Sequence, residues 1–106
     1  MIPTIPLNEF ITLYNDDVPL IDVREADEYA EAHVPGAVLA PLSELQRHLA
    51  SIPHEGTVYV ICRSGRRSIT GAERMAADGI TAVSVDDGTM GWIDAGQTVV
   101  TGTSAR

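Results

Sequence analysis

The stretch TVYVICRSGRRSI, residues 57–69, decides how the rest of this chain is interpreted. Residues 57–61 are apolar, aromatic or β-branched, which is typical of a buried strand. This pattern ends at Cys62, the only cysteine in the sequence. A short loop with one glycine and three arginines follows, and a helical pattern begins at Ser68. We interpret the loop as a cradle that holds an anion around a reactive thiolate.

Composition limits what the chain can do outside this loop. A length of 106 residues suits one domain, which can bury a core without a disulfide or a metal. The net charge of −8 argues against nucleic acid as a partner. No apolar run approaches the roughly 20 residues that span a bilayer, and the N-terminus lacks a signal-peptide pattern. A single cysteine cannot form an internal disulfide, so we expect a reducing, cytoplasmic location.

The cations are concentrated next to the cysteine. The chain has no lysine, and Arg63, Arg66 and Arg67 are three of its seven arginines. Such a cluster in an acidic protein indicates anion binding. The three histidines lack the spacing of metal ligands, and no glycine-rich nucleotide motif is present. The sequence therefore predicts no metal site and no cofactor.

Short apolar runs alternate with helical patterns along the chain. We expect strands near 1–5 (an edge strand), 18–23, 37–40, 57–61 and 80–85. Helices are expected near 7–14, 25–32, 42–49, 68–78 and 90–95, the fourth with a buried stripe of Ile69, Ala72, Met75 and Ala76 and a cap at Gly79. This alternation predicts an α/β fold, a mainly parallel sheet with helices on both faces. One domain would span 1–106, with its core at about 5–95 and a loosely ordered tail at 96–106.

The predicted fold places Cys62 where parallel sheets bind ligands, beyond the carboxyl ends of the strands. Successive amides of a tight loop can form an anion-binding nest, and the helix N-terminus adds partial positive charge. Gly65 gives the loop the backbone freedom to curl. These features favour the thiolate form of Cys62, which is the nucleophilic form.

The loop CRSGRRS, residues 62–68, is similar to the active-site loop of rhodanese-type sulfurtransferases, whose pattern is Cys-x-x-Gly-x-Arg-Ser. Three further segments agree in order and spacing. DVRE at 22–25 resembles the Asp-x-Arg at a strand end, HVPGA at 33–37 the His-Ile-Pro-Gly-Ala turn, and DGTMGW at 87–92 the Gly-Gly-x-x-x-Trp stretch. The resemblance covers about residues 7–95. The chain departs from the family at Ala32, Leu39 and Asp87, where glycine, asparagine and glycine are usual.

The resemblance implies a rhodanese-like, five-stranded parallel sheet and a sulfurtransferase reaction. The Cys62 thiolate would take the outer sulfur of a small anionic donor such as thiosulfate, releasing sulfite and forming a persulfide. A thiophilic acceptor, cyanide or a thiol, would then remove that sulfur. The acceptor must be external because the chain has no second cysteine. A protein sulfur-relay partner stays open, and neither nucleic acid nor a membrane is expected as a partner.

The resemblance also implies roles for the neighbouring residues. The loop from Arg63 through Ser64 and Gly65 to Ser68 would hold the persulfide with its amides. Arg63 and Arg66 would attract the donor, and Arg67 would anchor the loop on a carboxylate. Ser68 could cap the following helix or donate to the sulfur, and of the two we expect the cap. For Asp22 and Arg24 a fold-holding role and a catalytic role both stay open, whereas His33 and Trp92 are expected to pack or lock turns.

Three other functions remain to be weighed against the transferase. Phosphotyrosine-type phosphatases place five residues between cysteine and arginine, but only four separate Cys62 from Arg67, so we expect negligible phosphatase activity. A sulfur carrier or sensing module needs the same persulfide and stays open. A catalytically silent interaction domain is disfavoured by the intact loop.

Overall fold

The computed structural model describes residues 1–106, and its five strands form one parallel sheet. Strand β4 is central in the order β1-β5-β4-β2-β3, and β1 is an edge strand. This confirms the predicted five-stranded parallel sheet. The strands are β1 (Thr4–Ile5), β2 (Leu20–Asp22), β3 (Val38–Leu39), β4 (Thr57–Ile61) and β5 (Thr81–Val85).

Five α-helices connect and cover the strands. They are α1 (Leu7–Leu13), α2 (Ala26–Glu31), α3 (Leu45–His48), α4 (Arg67–Ala77) and α5 (Gly88–Asp94). Short 3₁₀ turns at Leu42–Glu44 and Leu49–Ser51 flank α3. None of these helices is long and apolar enough to cross a membrane.

Each face of the sheet packs against its own layer of helices. Successive strand residues point to opposite faces, so neighbours on β4 join different cores. Val60 packs with the residues of α3 and α4, and Ile61 with those of α1, α2 and α5. The first core includes Leu45, Ala72 and Met75, and the second includes Phe10, Tyr29 and Trp92. The expected helices on both faces are therefore present.

The buried face of α4 differs from the predicted stripe. Ile69 is 40% exposed and Ala76 is also exposed, whereas Ala72 and Met75 are buried as expected. The other buried positions are Ser68 and Gly71, which share a face with Ala72 and Met75 at helical spacing. The buried stripe was misplaced because its first two positions, Ser68 and Gly71, are not large apolar residues.

The C-terminal segment also differs from its prediction as a loosely ordered tail. His33 and Val100 exchange two backbone hydrogen bonds of 2.9 Å, and the Gly36 amide donates to the Ala105 carbonyl at 2.8 Å. The Arg106 guanidinium forms an ion pair of 2.7 Å with Asp16. The tail is held mainly through its backbone, and Val99 packs against the second core. It runs past Ala30 and His33 and ends at Gly36 and Asp16, ahead of β3 and β2, so its last residues lie at the amino edge of the sheet.

Candidate active site

Cys62 lies at the carboxyl edge of the sheet, directly after β4. Only 1% of the residue is exposed. The Gly65 amide donates a hydrogen bond of 3.1 Å to Sγ, and the Ser68 hydroxyl oxygen lies 3.4 Å from the same sulfur. Gly65 has φ +110°, a left-handed backbone that favours glycine. The thiol donates to the Ser68 oxygen, and on loss of its proton this bond can reverse so that the amide and the hydroxyl both donate to the anionic sulfur.

Ser68 supports the sulfur instead of capping α4. The helix begins at Arg67, Arg66 occupies the capping position, and no side chain bonds the helix end. The Ser68 side chain points into the protein, where its oxygen lies 2.7 Å from the Ser84 hydroxyl on β5. Both serines are buried. The capping prediction is therefore wrong, and the structure adds Ser84 to the site.

Arg67 anchors the loop on Glu28 of α2. Its two terminal nitrogens donate to the two carboxylate oxygens at 2.7 and 2.8 Å. These hydrogen bonds are the main reason that the pKa of Glu28 falls from its ordinary value of 4.5 to about 2. Glu28 also accepts the Glu25 amide in a capping box at the start of α2. The sequence predicted a carboxylate partner for Arg67 but did not identify which one.

Asp22 and Arg24 form a buried ion pair at the end of β2. The Asp22 carboxylate accepts three bonds of 2.8–3.2 Å from the Arg24 guanidinium. The remaining donors of Arg24 reach the backbone oxygens of Glu28 and Ala32 at 3.3 and 2.8 Å. Because every nitrogen of this guanidinium has a partner, the geometry favours the fold-holding role among the two left open.

Arg63 and Arg66 have no ion-pair partner and are exposed on different sides of the loop. Arg63 lines a cavity of about 300 Å³ that α2 and α5 also border. Ser64, Gly65 and Arg66 line a separate depression of about 580 Å³ beside α1 and the turn that precedes α5. An anion that approaches the loop from either side therefore meets an unpaired guanidinium.

The first residues of α5 donate backbone hydrogen bonds to the start of the active-site loop. The Thr89 amide donates to the Cys62 carbonyl at 2.8 Å, and the Met90 amide donates to the Arg63 carbonyl at 3.0 Å. This approach needs Gly88, which has φ +58°, because a Cβ atom there would lie 2.5 Å from both carbonyl oxygens. The sequence indicated a turn at 86–88, but it gave no sign that the turn supports the cysteine.

The sequence that forms this site also matches the model of a known protein family. The family model for the rhodanese-like domain covers residues 7–95. The chain belongs to the rhodanese-like family. A rhodanese-like domain protein from Staphylococcus aureus has a similar structure, with a TM-score of 0.80 and 31% identity over 86% of this chain and 91% of that one.

Two curated bacterial relatives show the range of names among rhodanese-like proteins. YrkF of Bacillus subtilis, provisionally named a sulfur carrier protein, is 39% identical over 84 residues. That match covers 77% of this chain but only 45% of YrkF, so the chain spans less than half of this relative's length. PspE of Escherichia coli, named a thiosulfate sulfurtransferase, is 38% identical over 65 residues, 59% of this chain and 62% of PspE.

Two of the three departures from the rhodanese pattern, Asp87 and Ala32, have local explanations in this domain. Asp87 stands where glycine is usual and adopts the left-handed φ of +65° that aspartate tolerates better than most residues. Ala32 offers its carbonyl to Arg24, an interaction that needs no particular side chain. Neither change disturbs the contacts of Cys62.

His33 and Trp92 of this rhodanese-like domain pack as predicted. The His33 ring stacks on Tyr29, and its two nitrogens lie 2.7 and 2.8 Å from the backbone oxygens of Tyr29 and Ser104. The Trp92 indole donates to the Thr98 carbonyl at 2.8 Å. No three potential metal-ligating side chains come together.

Proposed function

We propose that this chain is a sulfurtransferase that carries sulfane sulfur as a persulfide on Cys62. The observation that supports this most directly is the environment of Sγ, which faces the Gly65 amide at 3.1 Å and the Ser68 hydroxyl at 3.4 Å. The donor is thiosulfate or a related small anion, because unpaired arginines flank the loop. The acceptor is a thiol or another thiophile from outside the chain.

The first half-reaction loads the cysteine. The Cys62 thiolate attacks the outer sulfur of thiosulfate, the sulfur–sulfur bond of the donor breaks, and sulfite leaves with the bonding electrons. Arg63 and Arg66 attract the dianionic donor and lower the repulsion between it and the thiolate. The new outer sulfur lies roughly 2 Å beyond Sγ, inside the ring of loop amides. Those amides hold its negative charge without having to reorganise.

The second half-reaction returns the enzyme to its starting state. An acceptor thiolate attacks the outer sulfur, the bond to Sγ breaks, and the electron pair goes back to Cys62. Ser68 stabilises the thiolate in both half-reactions, since its hydroxyl can donate to Sγ while it accepts from Ser84. The buried position of Sγ directs the attack to the outer sulfur, which is the more exposed of the two.

A sulfur carrier with little turnover is the second candidate. The name of YrkF supports it for one relative, and a nearly inaccessible Sγ is suited to protecting a persulfide until a protein partner arrives. Carrier and enzyme load the same cysteine, but only the enzyme passes sulfur repeatedly to small acceptors. We also infer a cytoplasmic location, because a chain with one cysteine makes no structural use of an internal disulfide.

Intact mass measurement tests the persulfide directly. Wild-type protein and Cys62→Ser are incubated with thiosulfate without a reducing agent, and the adduct of one sulfur atom is expected on the wild type alone. Addition of cyanide should then remove it and yield thiocyanate over many cycles, which distinguishes an enzyme from a carrier. Absence of the adduct on the wild type would refute the proposal. Cys62-dependent hydrolysis of an aryl phosphate would instead favour a phosphatase.

A further inference from the structure

Cys62, Ser68 and Ser84 form a chain of polar side chains that ends inside the protein. The Ser68 hydroxyl oxygen lies 3.4 Å from Cys62 Sγ and 2.7 Å from the Ser84 hydroxyl oxygen. None of the three residues is more than 1% exposed. The bond to Ser68 is the only hydrogen bond of the Ser84 hydroxyl, and Ala82, on the same face of β5, belongs to the apolar core. A polar group buried on such a face needs an explanation, and its one partner is Ser68.

The sheet holds Ser84 in a fixed position. Its amide donates to the Pro3 carbonyl at 3.0 Å, and the residue is paired with Thr4 of β1 and Val60 of β4. Ser68 lies in the first turn of α4, where a serine hydroxyl can turn toward a backbone carbonyl of the preceding turn. The bond of 2.7 Å to Ser84 keeps this hydroxyl beside the sulfur instead.

The direction of the two hydrogen bonds depends on the charge of the sulfur. In the thiol form, Sγ and the two hydroxyls together carry three hydrogens for two bonds, so one buried donor has no acceptor. In the thiolate form, each hydroxyl hydrogen has an acceptor, because Ser84 donates to Ser68 and Ser68 donates to Sγ. Each bond in such a chain strengthens the next by about 10–30%. The bond from Ser84 therefore strengthens the bond that stabilises the thiolate.

We propose that Ser84 is a positioning residue of the active site and acts on Cys62 through Ser68. Its hydroxyl orients and polarises that of Ser68, which donates to Sγ whenever the sulfur is anionic. This inference rests on the proposed function, in which Sγ is anionic twice, before it attacks the donor and after it leaves the persulfide. The thiol proton goes to the solvent before the first step, and the electron pair of the broken sulfur–sulfur bond returns to Sγ in the second. Each hydroxyl keeps its own proton throughout.

The charged groups around Cys62 are separate from this chain of hydroxyls. On α4, α2 and β2 they are paired, as Arg67 with Glu28 and Arg24 with Asp22. The loop and the turn before α5 add Arg63, Arg66, Asp86 and Asp87. None of these side chains is bonded to Ser68 or Ser84, so a substitution of Ser84 leaves all of their charges in place. A change in the acidity of the thiol then reports on the hydroxyls.

The pH dependence of Cys62 alkylation by iodoacetamide measures the role of Ser84 without a sulfur donor. The alkylation rate follows the thiolate fraction, so the midpoint of the pH profile reports the balance between thiol and thiolate. We expect Ser84→Ala to move this midpoint upward by about 0.5 pH unit, because the bond from Ser68 to the thiolate is weakened. Ser84→Thr keeps the hydroxyl and should keep the wild-type midpoint.

A double-mutant cycle shows whether Ser84 acts through Ser68. Ser68→Ala should move the midpoint upward by about 1 pH unit, and adding Ser84→Ala to it should move the midpoint no further. The control Ile80→Val lies in the same core directly ahead of β5, and it should lose a similar amount of stability but keep the wild-type midpoint. A wild-type midpoint in Ser84→Ala, or the same shift by Ser84→Ala with and without Ser68, would overturn the assignment.

Persulfide discharge provides a second measurement. Protein loaded with sulfur is mixed with 2-mercaptoethanol, and loss of the adduct is followed by mass. Discharge should be about twofold slower in Ser84→Ala, because a more basic thiolate leaves more slowly. A rate equal to that of the wild type would refute a role of Ser84 in the second half-reaction. If the wild type takes up no sulfur from thiosulfate, the proposed function fails, whereas the alkylation cycle still decides whether Ser84 acts on the thiol.

Discussion

Replacing Glu28 by glutamine should loosen the active-site loop without removing any of its residues. The neutral amide keeps the size of the side chain but loses the charge that pairs with Arg67. The drop of the Glu28 pKa from 4.5 to about 2 corresponds to at most about 3–4 kcal/mol of folding stability. The Glu28 side chain is 28% exposed and that of Arg67 is 36% exposed, so solvent screening reduces the expected loss. We expect Glu28→Gln to lower the free energy of unfolding at pH 7 by about 1–2 kcal/mol.

The pH dependence of that loss identifies its cause. A carboxylate whose pKa is lowered by folding stabilises the protein fully above its unfolded value, and this contribution disappears as the pH falls toward the folded value. The difference between wild type and Glu28→Gln should therefore be nearly constant from pH 7 to about 5.5 and fall by more than half at pH 3.5. Urea denaturation at these three pH values measures it.

A control and a double-mutant cycle make the test specific to the ion pair. Glu31→Gln lies on the same helix without an ion-pair partner and should change stability by less than about 0.5 kcal/mol. Arg67→Gln should cost a similar amount to Glu28→Gln, and the double variant should cost less than the sum. The rate of persulfide formation should fall several-fold in all variants that break the pair. A stability difference that stays the same down to pH 3 would show that the ion pair is not its source.

Three further perturbations test other supports of the site. Gly88→Ala would place a Cβ atom 2.5 Å from two carbonyl oxygens, whereas Gly96→Ala changes a residue with a left-handed φ of +77° in open space. Gly88→Ala should therefore lower the free energy of unfolding by at least about 2 kcal/mol more than Gly96→Ala. Equal losses in urea denaturation would contradict the clash. Ser84→Ala should lower the free energy of unfolding by about 1 kcal/mol and slow alkylation of the Cys62 thiol by iodoacetamide, because Ser68 loses its hydrogen-bond partner. An unchanged alkylation rate would show that Ser84 does not act on the thiol. Deletion of residues 98–106 should cost about 1–3 kcal/mol yet leave persulfide loading of the folded protein intact, since the tail bonds residues 30–36 and not the loop at 62–68. Impaired loading would show that the tail supports the site through residues 30–36.

The fold could be predicted because its strands carry their own signal. A strand buried on both faces, such as 57–61 or 81–85, is a short apolar or β-branched run, and helical patterns separate these runs. The elements were correct in type and order, and the errors lay in their lengths. The strand expected at 18–23, for example, extends only over Leu20–Asp22.

The contacts within the site could be predicted only in part, because they join residues far apart in sequence. A partner for Arg67 was expected, but 15 acidic residues were available and no local pattern favours Glu28, which lies 39 positions away. The start of α4 shows a second limit. Ser68 is a good capping residue in isolation, and moving the helix start to Arg67 is enough to point its hydroxyl at the sulfur instead.

Backbone contacts left the least trace in the sequence. The amides of residues 89 and 90 support the loop whatever their side chains are. Only Gly88, just before them, indicates in the sequence that the two backbone segments approach closely. The C-terminal segment was misjudged for the same reason. Its polar, small-residue composition suggested disorder, although its amides and carbonyls complete those of residues 30–36.

The placement of the two chain ends has a practical consequence. Met1 precedes β1, and Arg106 contacts Asp16 ahead of β2, so both ends emerge at the amino edge of the parallel sheet. Cys62 and its arginines lie at the carboxyl edge. A fluorophore, a solid support or a second protein module can therefore be attached through either end, and the mouth of the loop stays open to solution.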